Sequence, residues 1–250
     1  MVSSRSNILI TGASTGIGRA AAVDLAARGY RVFGSVRKEA DAEALRASTP
    51  AGALPIEALL FDVTDTEAVQ AGAAQLEELL GGEGLDALVN NAGIAVAAPL
   101  EYIPLEDFQL QMDINVTGVL RCIQAFLPAL KRARGRILNI SSVAGRLAFP
   151  LAAPYHASKH ALEGFSDVLR LEMQRHGIDV VVIQPGAIKT EIWDTAASKS
   201  AAIRKKLSPE AIEEYGRLIG QVGKAAANAG ATGDEVEVCA DVVRKAIEAK

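Results

Sequence analysis

Short apolar runs alternate with longer amphipathic stretches along this chain, and this alternation constrains the fold more than any other feature of the sequence. The runs are bounded by Gly, Asn or Asp, and the pattern predicts strands at residues 7–11, 31–36, 56–61, 86–90, 136–140 and 179–183. The stretches between the runs predict helices that include residues 17–28, 65–80, 105–131 and 157–176. Continuous apolar strands that alternate with helices are typical of a parallel sheet covered on both faces. We therefore predict an α/β fold, a Rossmann-type doubly wound parallel sheet.

Length, composition and charge narrow the class of protein. The chain has 250 residues, of which 50% are hydrophobic and 22% are charged, as in an ordinary globular enzyme. Its net charge of −4 argues against a nucleic-acid-binding protein. The longest uncharged apolar stretch, residues 87–100, is too short and too polar to span a membrane. No linker or low-complexity segment divides the chain, which indicates a single domain over residues 1–250.

The N-terminal segment, the cysteines and the histidines indicate the compartment and the absence of a metal. Residues 1–11 lack the long apolar core and the cleavage site of a secretory signal, so we expect a cytoplasmic protein. Cys122 and Cys239 lie far apart and are expected to be free, buried thiols. His156 and His160 have no Cys or acidic partners at ligand spacing, and the same holds for the third histidine, so no metal site is expected.

Gly12, Gly16 and Gly18 stand between the first predicted strand and an alanine-rich helix. Glycine inside ordered structure lowers stability unless the backbone must turn sharply or another group must approach it closely. A glycine turn at the N-terminus of a helix offers free N–H groups and the helix dipole to a phosphate. The spacing is G-x-x-x-G-x-G rather than the G-x-G-x-x-G of the standard dinucleotide motif, so other positions must support this interpretation.

Two further strand ends support a binding site for a dinucleotide. Asp62 and Val63 follow the third predicted strand, and the run Asn90-Asn91-Ala92-Gly93 closes the fourth. The carboxyl ends of parallel strands meet at one edge of a sheet, where ligands bind. These residues are therefore expected to lie beside the glycine turn, with turn capping as the alternative role for Asp62.

Taken together, these motifs resemble the short-chain dehydrogenase/reductase family. The match follows the order and spacing of the family over residues 7 to about 190, and it comprises Thr11-Gly12-x-x-x-Gly16-x-Gly18, Asn90-Asn91-Ala92-Gly93, Asn115, Ser142, Tyr155-x-x-x-Lys159 and Pro185-Gly186-x-Ile188-x-Thr190. The resemblance implies a nicotinamide cofactor and hydride transfer between that cofactor and a carbonyl or alcohol carbon.

Tyr155 and Lys159 are four residues apart in a predicted helix, so their side chains share one face. A free phenol titrates near 10, and bringing it to about 7 needs roughly 4 kcal/mol, which Lys159 and a cationic nicotinamide together could supply. The resemblance assigns Tyr155 as general acid/base and Ser142 as the group that polarises the substrate carbonyl. It also implies that Asn115 holds a water that relays protons to Lys159. Ser141 lies off the family pattern and is expected to make strand-end hydrogen bonds.

The cofactor is expected to be NADP(H). Arg37 and Lys38 follow the second predicted strand, where an NAD site would place an acid for the ribose hydroxyls. We assign Arg37 to the 2′-phosphate, with Lys38 as its helper and a solvated basic turn as the alternative. With the contacts that the resemblance implies, the expected cofactor-binding residues are Gly12, Ser14, Thr15, Gly16, Ile17, Gly18, Arg37, Lys38, Asp62, Val63, Asn91, Ala92, Gly93, Tyr155, Lys159, Pro185, Gly186, Ile188 and Thr190.

Apolar segments predict a lipophilic small-molecule substrate. The family builds its substrate pocket from the segment after the last matching motif and from the loops after Gly93 and Ser142, which here read EIWDTAA, IAVAAPL and VAGRLAFPLAAP. We expect a helical lid over about residues 190–230 that includes Trp193. Arg146 could meet an acidic group, but a solvent-facing Arg is the preferred interpretation. Residues 155–190 and the strand that leads to Arg37 resemble the steroid- and retinoid-handling members of the family more than its fatty-acid-synthesis ketoreductases.

A homodimer through the predicted helices 105–131 and 157–176 is expected, with a tetramer as the alternative. Members of the family usually have a further strand after the helix that matches residues 236–249, and this sequence stops at Lys250, which puts tetramer contacts from that strand in doubt.

Two other functions stay open. A non-catalytic NADP-binding regulatory protein usually lacks the tyrosine or the lysine, and both are present. An epimerase or dehydratase usually has a larger substrate domain. We therefore predict an NADP(H)-dependent oxidoreductase that acts on the carbonyl or secondary alcohol of a lipophilic molecule.

Overall fold

Parallel strands form one sheet in the computed structural model, which describes residues 6–249. The strands are β1 (Asn7–Ile10), β2 (Arg31–Val36), β3 (Glu57–Leu60), β4 (Ala87–Asn90), β5 (Arg136–Ile140) and β6 (Asp179–Ile183). The helices are α1 (Gly16–Ala27), α2 (Glu39–Ala47), α3 (Thr66–Leu80), α4 (Leu105–Met112), α5 (Gly118–Ala133), α6 (Ala153–Met173), α7 (Ile192–Arg204), α8 (Pro209–Thr232) and α9 (Val236–Glu248). The expected absence of a secretory signal rests partly on residues 1–5, which lie outside the described residues.

The strand order is β3-β2-β1-β4-β5-β6, and every neighbouring pair is parallel. This is the order of the Rossmann fold, in which the direction of winding reverses between β1 and β4. Leu9 of β1 lies opposite Phe33 of β2 on one side and Leu88 of β4 on the other. Sheets of this kind bind ligands in the crevice beyond the carboxyl ends of the strands at the reversal point. The predicted fold class is therefore confirmed.

Side chains of each strand alternate between two apolar cores, because successive residues of a strand point to opposite faces. Leu9 packs with Phe126 in the core under α3, α5 and α6. Ile8 and Ile10 point the other way and pack with Leu25 in the core under α1, α2 and α9. Burial on both faces explains why apolar residues follow one another along the strands rather than standing only at alternate positions.

Two of the predicted helices are wrong in their extent. The long helix predicted at residues 105–131 is divided, because a π-helical segment, Asp113–Thr117, joins α4 to α5. The helix predicted from residue 157 begins at Ala153, since Pro154 fits the first turn of a helix, where its missing N–H is not needed. The sequence pattern also misses α2, whose residues are mostly charged or Ala.

The π-helical segment turns Asn115 into the interior, where the residue is 1% exposed. A π turn holds one more residue than an α turn, and such turns occur mostly at functional sites. Gly118 follows directly and packs against Val63, because a Cβ at this glycine would lie 2.9 Å from Val63 Cγ2. The segment therefore lies between the end of β3 and the loop that follows β4.

Helices α7 and α8 have few buried residues, namely Ile203 in α7 and Ala211 in α8. Ile203 of α7 packs with Val96 and Ala98 in a small third apolar cluster. The ring of Tyr215 on α8 meets Tyr102 edge-on, with the ring centroids 5.8 Å apart. Across residues 6–249, no helix combines the length and the apolar character that crossing a membrane requires.

A buried chain of polar side chains joins β4 and β5 to α6. Asn90 Nδ2 donates to Asn139 Oδ1 at 2.9 Å, and Asn139 Nδ2 donates to Ser166 Oγ at 2.8 Å. Ser166 Oγ in turn donates to the Leu162 carbonyl at 2.6 Å. These side chains are buried, so each hydrogen bond replaces one that water would otherwise make.

We expect Ser166→Ala to lower the free energy of unfolding by about 1–3 kcal/mol, because Asn139 Nδ2 then has no acceptor in the interior. Urea unfolding measures this change. Asp167→Ala is the control: Asp167 is exposed and pairs with Arg170 at 2.7 Å, and its loss is expected to cost about 0.5 kcal/mol or less. Equal losses for the two variants would contradict the importance of the buried chain.

Candidate active site

The glycine turn between β1 and α1 is a stretch of bare backbone held in a conformation that favours glycine. Gly12 has φ +65° and Gly16 has φ +55°, both in the left-handed region. A Cβ at Gly18 would lie 2.5 Å from Asn91 Nδ2 and 2.5 Å from the Gly12 carbonyl oxygen, so no other residue fits there. Thr15 precedes α1 without capping it through its side chain. The first N–H groups of α1 therefore lie open to a ligand.

Hydrogen bonds tie this turn to the end of β4. Thr11 Oγ1 accepts from the backbone N–H groups of Asn91 at 3.0 Å and Ala92 at 3.1 Å. Asn91 Nδ2 donates to the carbonyl oxygens of Thr11 and Gly12, both at 3.0 Å. A Cβ at Gly93 would lie 3.4 Å from Asn115 Oδ1, so the end of this run reaches the π-helical segment. The structure thus brings together the glycine turn and the run 90–93, as the sequence predicts.

Arg37 and Asp62 lie close together at the ends of β2 and β3. Arg37 Nη1 is 3.9 Å from Asp62 Oδ2, and the Arg37 side chain is exposed whereas that of Asp62 is partly buried. Asp62 Oδ1 accepts from the backbone N–H of Thr64 at 2.9 Å and from its hydroxyl at 2.8 Å. Asp62 therefore does cap a turn, and its second oxygen faces the cation. Lys38, exposed beside Arg37, precedes α2.

The segment after β6 closes the other side of the crevice. Val143 donates its N–H to the Pro185 carbonyl at 3.0 Å, which joins this segment to the loop after β5. Thr190 lies against the glycine turn, because its Cγ2 is 3.2 Å from the position of a Cβ on Gly16. Ile188 is buried in the core under α1 and α9. Gly186 has open space around its Cβ position, so packing does not explain a glycine there.

This crevice fits a dinucleotide. The floor of the crevice at Gly18 is bare backbone, because a Cβ has no room there. The N-terminus of α1 offers free N–H groups, and the Arg37 cation lies at the far end of the crevice. The other expected cofactor-binding residues lie along the same edge of the sheet: Ser14, Ile17, Val63 and Ala92.

Tyr155 and Lys159 lie one turn apart on α6, at the same edge of the sheet. Lys159 Nζ is 5.7 Å from the centroid of the Tyr155 ring and donates to the Ile140 carbonyl at 2.8 Å. Ser142 follows β5, and its Oγ accepts from the Ala144 N–H at 3.1 Å. The predicted Tyr, Lys and Ser therefore meet where β5 and α6 face the glycine turn.

Burial opposes the charged forms of both titratable groups. It raises the pKa of Tyr155 above its ordinary value, and the hydrogen bond with Ser142 lowers this pKa by less. Burial also lowers the pKa of Lys159 to about 8, and the nearby Glu163 carboxylate opposes that change. In this arrangement Lys159 by itself does not lower the pKa of the Tyr155 phenol below its ordinary value. Further positive charge is needed to do so.

Asn115 joins the loop after β4 to α6. Its Oδ1 accepts from the Ile94 N–H at 3.0 Å, and its Nδ2 donates to the Ile94 carbonyl and to Ser158 Oγ, both at 3.0 Å. Ser158 Oγ donates to the Tyr155 carbonyl at 2.8 Å. The side chain therefore fixes the π-helical segment against the turn of α6 that carries Tyr155.

Sequence reasoning misses two polar residues of this region. Gln111 is buried one turn before Asn115, and its Oε1 accepts from the Val96 N–H at 2.8 Å. Ser158 supports Asn115 from the other side. The spacing of four residues between Gln111 and Asn115 is the signal that the sequence does carry. Ser141 donates its backbone N–H to the Ile183 carbonyl at 2.8 Å, whereas its buried hydroxyl has no partner among the described residues.

The fold and the crevice define a Rossmann-type protein with a dinucleotide cradle and a Tyr–Lys pair beside it. A family model described as short chain dehydrogenase matches residues 6–201. The chain belongs to the short-chain dehydrogenase/reductase family, whose members are oxidoreductases that bind a nicotinamide cofactor.

Individual relatives and solved structures match between 84% and 98% of this chain. The NADPH-dependent 3-dehydrocapnine reductase of Ornithobacterium rhinotracheale is 37% identical over 97% of this chain and 84% of that relative. Retinol dehydrogenase 16 of Homo sapiens is 39% identical over 84% of this chain, which spans 66% of that relative's length. A short-chain dehydrogenase/reductase of Burkholderia phymatum, solved in complex with NAD, superposes with a TM-score of 0.82 at 26% identity, over 98% of this chain and 86% of that one.

We expect Gly18→Ala to weaken the binding of a nicotinamide dinucleotide about tenfold or more, because the new methyl group must displace Asn91 or the Gly12 carbonyl. The same overlap lowers the free energy of unfolding by about 1–3 kcal/mol. Fluorescence titration with NADPH and urea unfolding measure the two effects.

Gly164→Ala is the matched control, since Gly164 is exposed on α6 with open space at its Cβ position. Its dinucleotide affinity is expected to stay constant, and its stability to rise by about 0.5–1 kcal/mol. Tight NADPH binding by the Gly18 variant would contradict the role given to the glycine turn.

Proposed function

We propose that this chain is an NADP(H)-dependent oxidoreductase that acts on the carbonyl or secondary-alcohol carbon of a lipophilic small molecule, with Tyr155 as general acid/base. The supporting observation is the convergence of Tyr155, Lys159 and Ser142 on the edge of the sheet that carries the dinucleotide cradle. A nicotinamide bound in the cradle supplies or accepts the hydride. The substrate carbon then lies between the cradle and the Tyr155 hydroxyl.

Each side chain has a defined task in carbonyl reduction. Tyr155 gives its phenolic proton to the substrate oxygen, and the Ser142 hydroxyl donates a hydrogen bond to the same atom. Lys159 stabilises the phenolate that remains, because its ammonium group lies beside the ring. Asn115 is proposed to hold a water that returns a proton toward Lys159, from a position fixed by its bonds to Ile94 and Ser158.

We expect Tyr155→Phe to lower kcat by about 10²–10⁴-fold, because the substrate oxygen loses its proton donor. NADPH affinity is expected to stay within about threefold, since the ring and its packing remain. NADPH consumption over a panel of steroid, retinoid, aliphatic and quinone carbonyls measures turnover, and fluorescence titration measures binding.

Tyr30→Phe, at a surface hydroxyl that contacts Glu248 at 3.2 Å, is the control and should keep full activity. Undiminished turnover by the Tyr155 variant would exclude the acid/base role. Tight NADPH binding by the wild type without consumption on any carbonyl would favour the second candidate, a non-catalytic NADP-binding regulatory protein. That candidate has no specific support, because the four expected catalytic residues are present.

The preference for NADP(H) is proposed from Arg37. The guanidinium group is exposed and lies at the end of β2, where an NAD site would use an acid. The ion pair between Arg37 and Asp62 is long, at 3.9 Å, so the guanidinium group can turn to a phosphate. The similarity to the NADPH-dependent 3-dehydrocapnine reductase supports the same preference.

We expect Arg37→Ala to raise KM for NADPH about 10–100-fold, since a charge-assisted hydrogen bond to a phosphate contributes about 1.5–3 kcal/mol. KM for NADH should change little, because NADH has no 2′-phosphate. Arg46→Ala, which removes an exposed Arg of α2 paired with Glu39, is the control for net charge. Equal changes in KM for the two cofactors would assign Arg37 to a solvated basic turn.

The proposed substrate is lipophilic because the loops around Tyr155 present apolar side chains. The loop after Ser142 exposes the side chains of Val143, Leu147 and Phe149. On the other side, we place Trp193 in the proposed lid over about residues 190–230, where its Nε1 donates to the Ile188 carbonyl at 2.8 Å. The similarity to retinol dehydrogenase 16 also supports a lipophilic alcohol or carbonyl as substrate.

We also propose a homodimer through α5 and α6, in a cytoplasmic protein of one domain. Leu120 of α5 and Val168 and Leu171 of α6 are exposed, and an interface would cover them. Cys122 and Cys239 are free and buried, as in a reducing compartment.

A further inference from the structure

Among the Lys, Arg, Asp and Glu residues at positions 6–249, Lys159 and Glu163 are the two that are buried. They lie four residues apart on α6, so both side chains are on the same face of the helix. An isolated buried charge is costly, and a buried charge is normally paired. The Glu163 carboxylate lies one helical turn from Lys159 and favours its charged form, although the two groups are not in ion-pair contact.

Glu163 also holds two loops that frame the candidate active site. Its Oε1 accepts from Gln184 Nε2 at 2.8 Å, directly before Pro185 of the segment after β6. Its Oε2 pairs with Arg146 Nη2 at 3.0 Å, on the loop that follows Ser142. The loop passes tightly over the carboxylate, because a Cβ at Gly145 would lie 2.9 Å from Glu163 Cγ.

We propose that Glu163 is a positioning residue for the reaction: its buried carboxylate keeps the Lys159 ammonium charged beside Tyr155, and through Arg146 and Gln184 it fixes the two loops on either side of them. The inference rests on the proposed reductase function and deepens it. Arg146, which the sequence leaves as a solvent-facing Arg or a contact for an acidic substrate group, is 61% exposed and turns one nitrogen inward to Glu163.

The charges around the pair give the direction of the effect. Burial lowers the pKa of Lys159 to about 8, and the Glu163 carboxylate raises it. From the loop after β5, Arg146 faces Glu163 as a cation, and from the segment after β6 the partner is the neutral Gln184. On α6 itself, the His156 ring lies between the Ala144 carbonyl and the Phe149 N–H, each at 3.0 Å, and Tyr155 lies under the ammonium.

Glu163→Gln removes the carboxylate charge and keeps the size of the side chain. The pKa of Lys159 then falls further, so the ammonium is lost at a lower pH than in the wild type. Carbonyl reduction needs that ammonium for the phenolate that Tyr155 becomes. The alkaline limb of the pH profile of kcat/KM therefore moves to lower pH.

Arg146→Gln separates this role from a merely structural one. It breaks the same ion pair and frees the same loop, but it removes a cation and leaves the carboxylate to Lys159. The alkaline limb should therefore stay in place or move to higher pH. If Glu163 only held the loop in place through its ion pair with Arg146, the two variants would lose the same activity at every pH.

The experiment measures kcat/KM for NADPH-driven reduction from about pH 6 to about pH 10 on the wild type, Glu163→Gln, Arg146→Gln and Glu163→Asp. We expect Glu163→Gln to be about tenfold below the wild type near pH 8.5 and within about twofold near pH 6.5, since one unit of pKa is a tenfold change. Glu163→Asp keeps the charge and should return the limb toward the wild type. Parallel, pH-independent losses in Glu163→Gln and Arg146→Gln, or a downward move of the limb in Arg146→Gln, would overturn the proposal.

A second measurement needs no turnover. Urea unfolding of the wild type, Lys159→Met, Glu163→Gln and the double variant gives the coupling between the two side chains. The coupling should be favourable near pH 6.5 and absent near pH 9.5, where Lys159 is neutral. If the wild type reduces no carbonyl, the proposed function fails, and this cycle still decides whether Glu163 supports the charge of Lys159. Should Glu163→Gln not fold, Arg146→Gln and Glu163→Asp give the direction of the shift.

Discussion

The close packing of the β1–α1 turn on the end of β4 is the constraint on which the rest of the site depends. Gly18 has no room for a Cβ because Asn91 Nδ2 and the Gly12 carbonyl each lie 2.5 Å from that position. The same amide of Asn91 bonds the backbone of Thr11 and Gly12, so the turn and the strand end support each other. Since β1 and β4 are the strands between which the sheet reverses its winding, this contact determines where a dinucleotide can lie.

Burial disfavours the charged forms of the two titratable groups of the site, and polar neighbours oppose this effect. It raises the pKa of Tyr155 and lowers that of Lys159, so it opposes the charged form of both groups. Ser142, from the loop after β5, favours the phenolate, and Glu163, one turn further along α6, favours the ammonium. Each of the two charges therefore depends on a residue outside the Tyr–Lys pair, which is why loops after β5 and β6 matter as much as the helix.

The sequence predicts well those features that short stretches of neighbouring residues determine. The six apolar runs and the glycine turn follow from neighbours in the chain, and the structure confirms the sheet they form. The break between α4 and α5 does not follow from neighbours, because Asn115 is drawn inward by Ile94, 21 residues away, and by Ser158, 43 residues away. A helical pattern across residues 105–131 looks continuous until those partners are known. Glu163 escapes sequence reasoning for the same reason, since Arg146 and Gln184 approach it from other elements.

The site therefore has two parts, one built from residues close in sequence and one from distant residues, and the two parts tolerate amino-acid substitution differently. The cradle is built from backbone and from bonds to backbone, so its side chains matter mainly where they exclude or hold a main-chain atom, as at Gly18 and Asn91. The catalytic part is built from side chains that reach across the fold. The loop after Ser142 is joined to that part through Arg146 and through the Val143 N–H, while Leu147 and Phe149 stay exposed. Exposed apolar positions on a loop held at its base can vary with the substrate without disturbing Tyr155, because the contacts that fix the loop lie on its other residues.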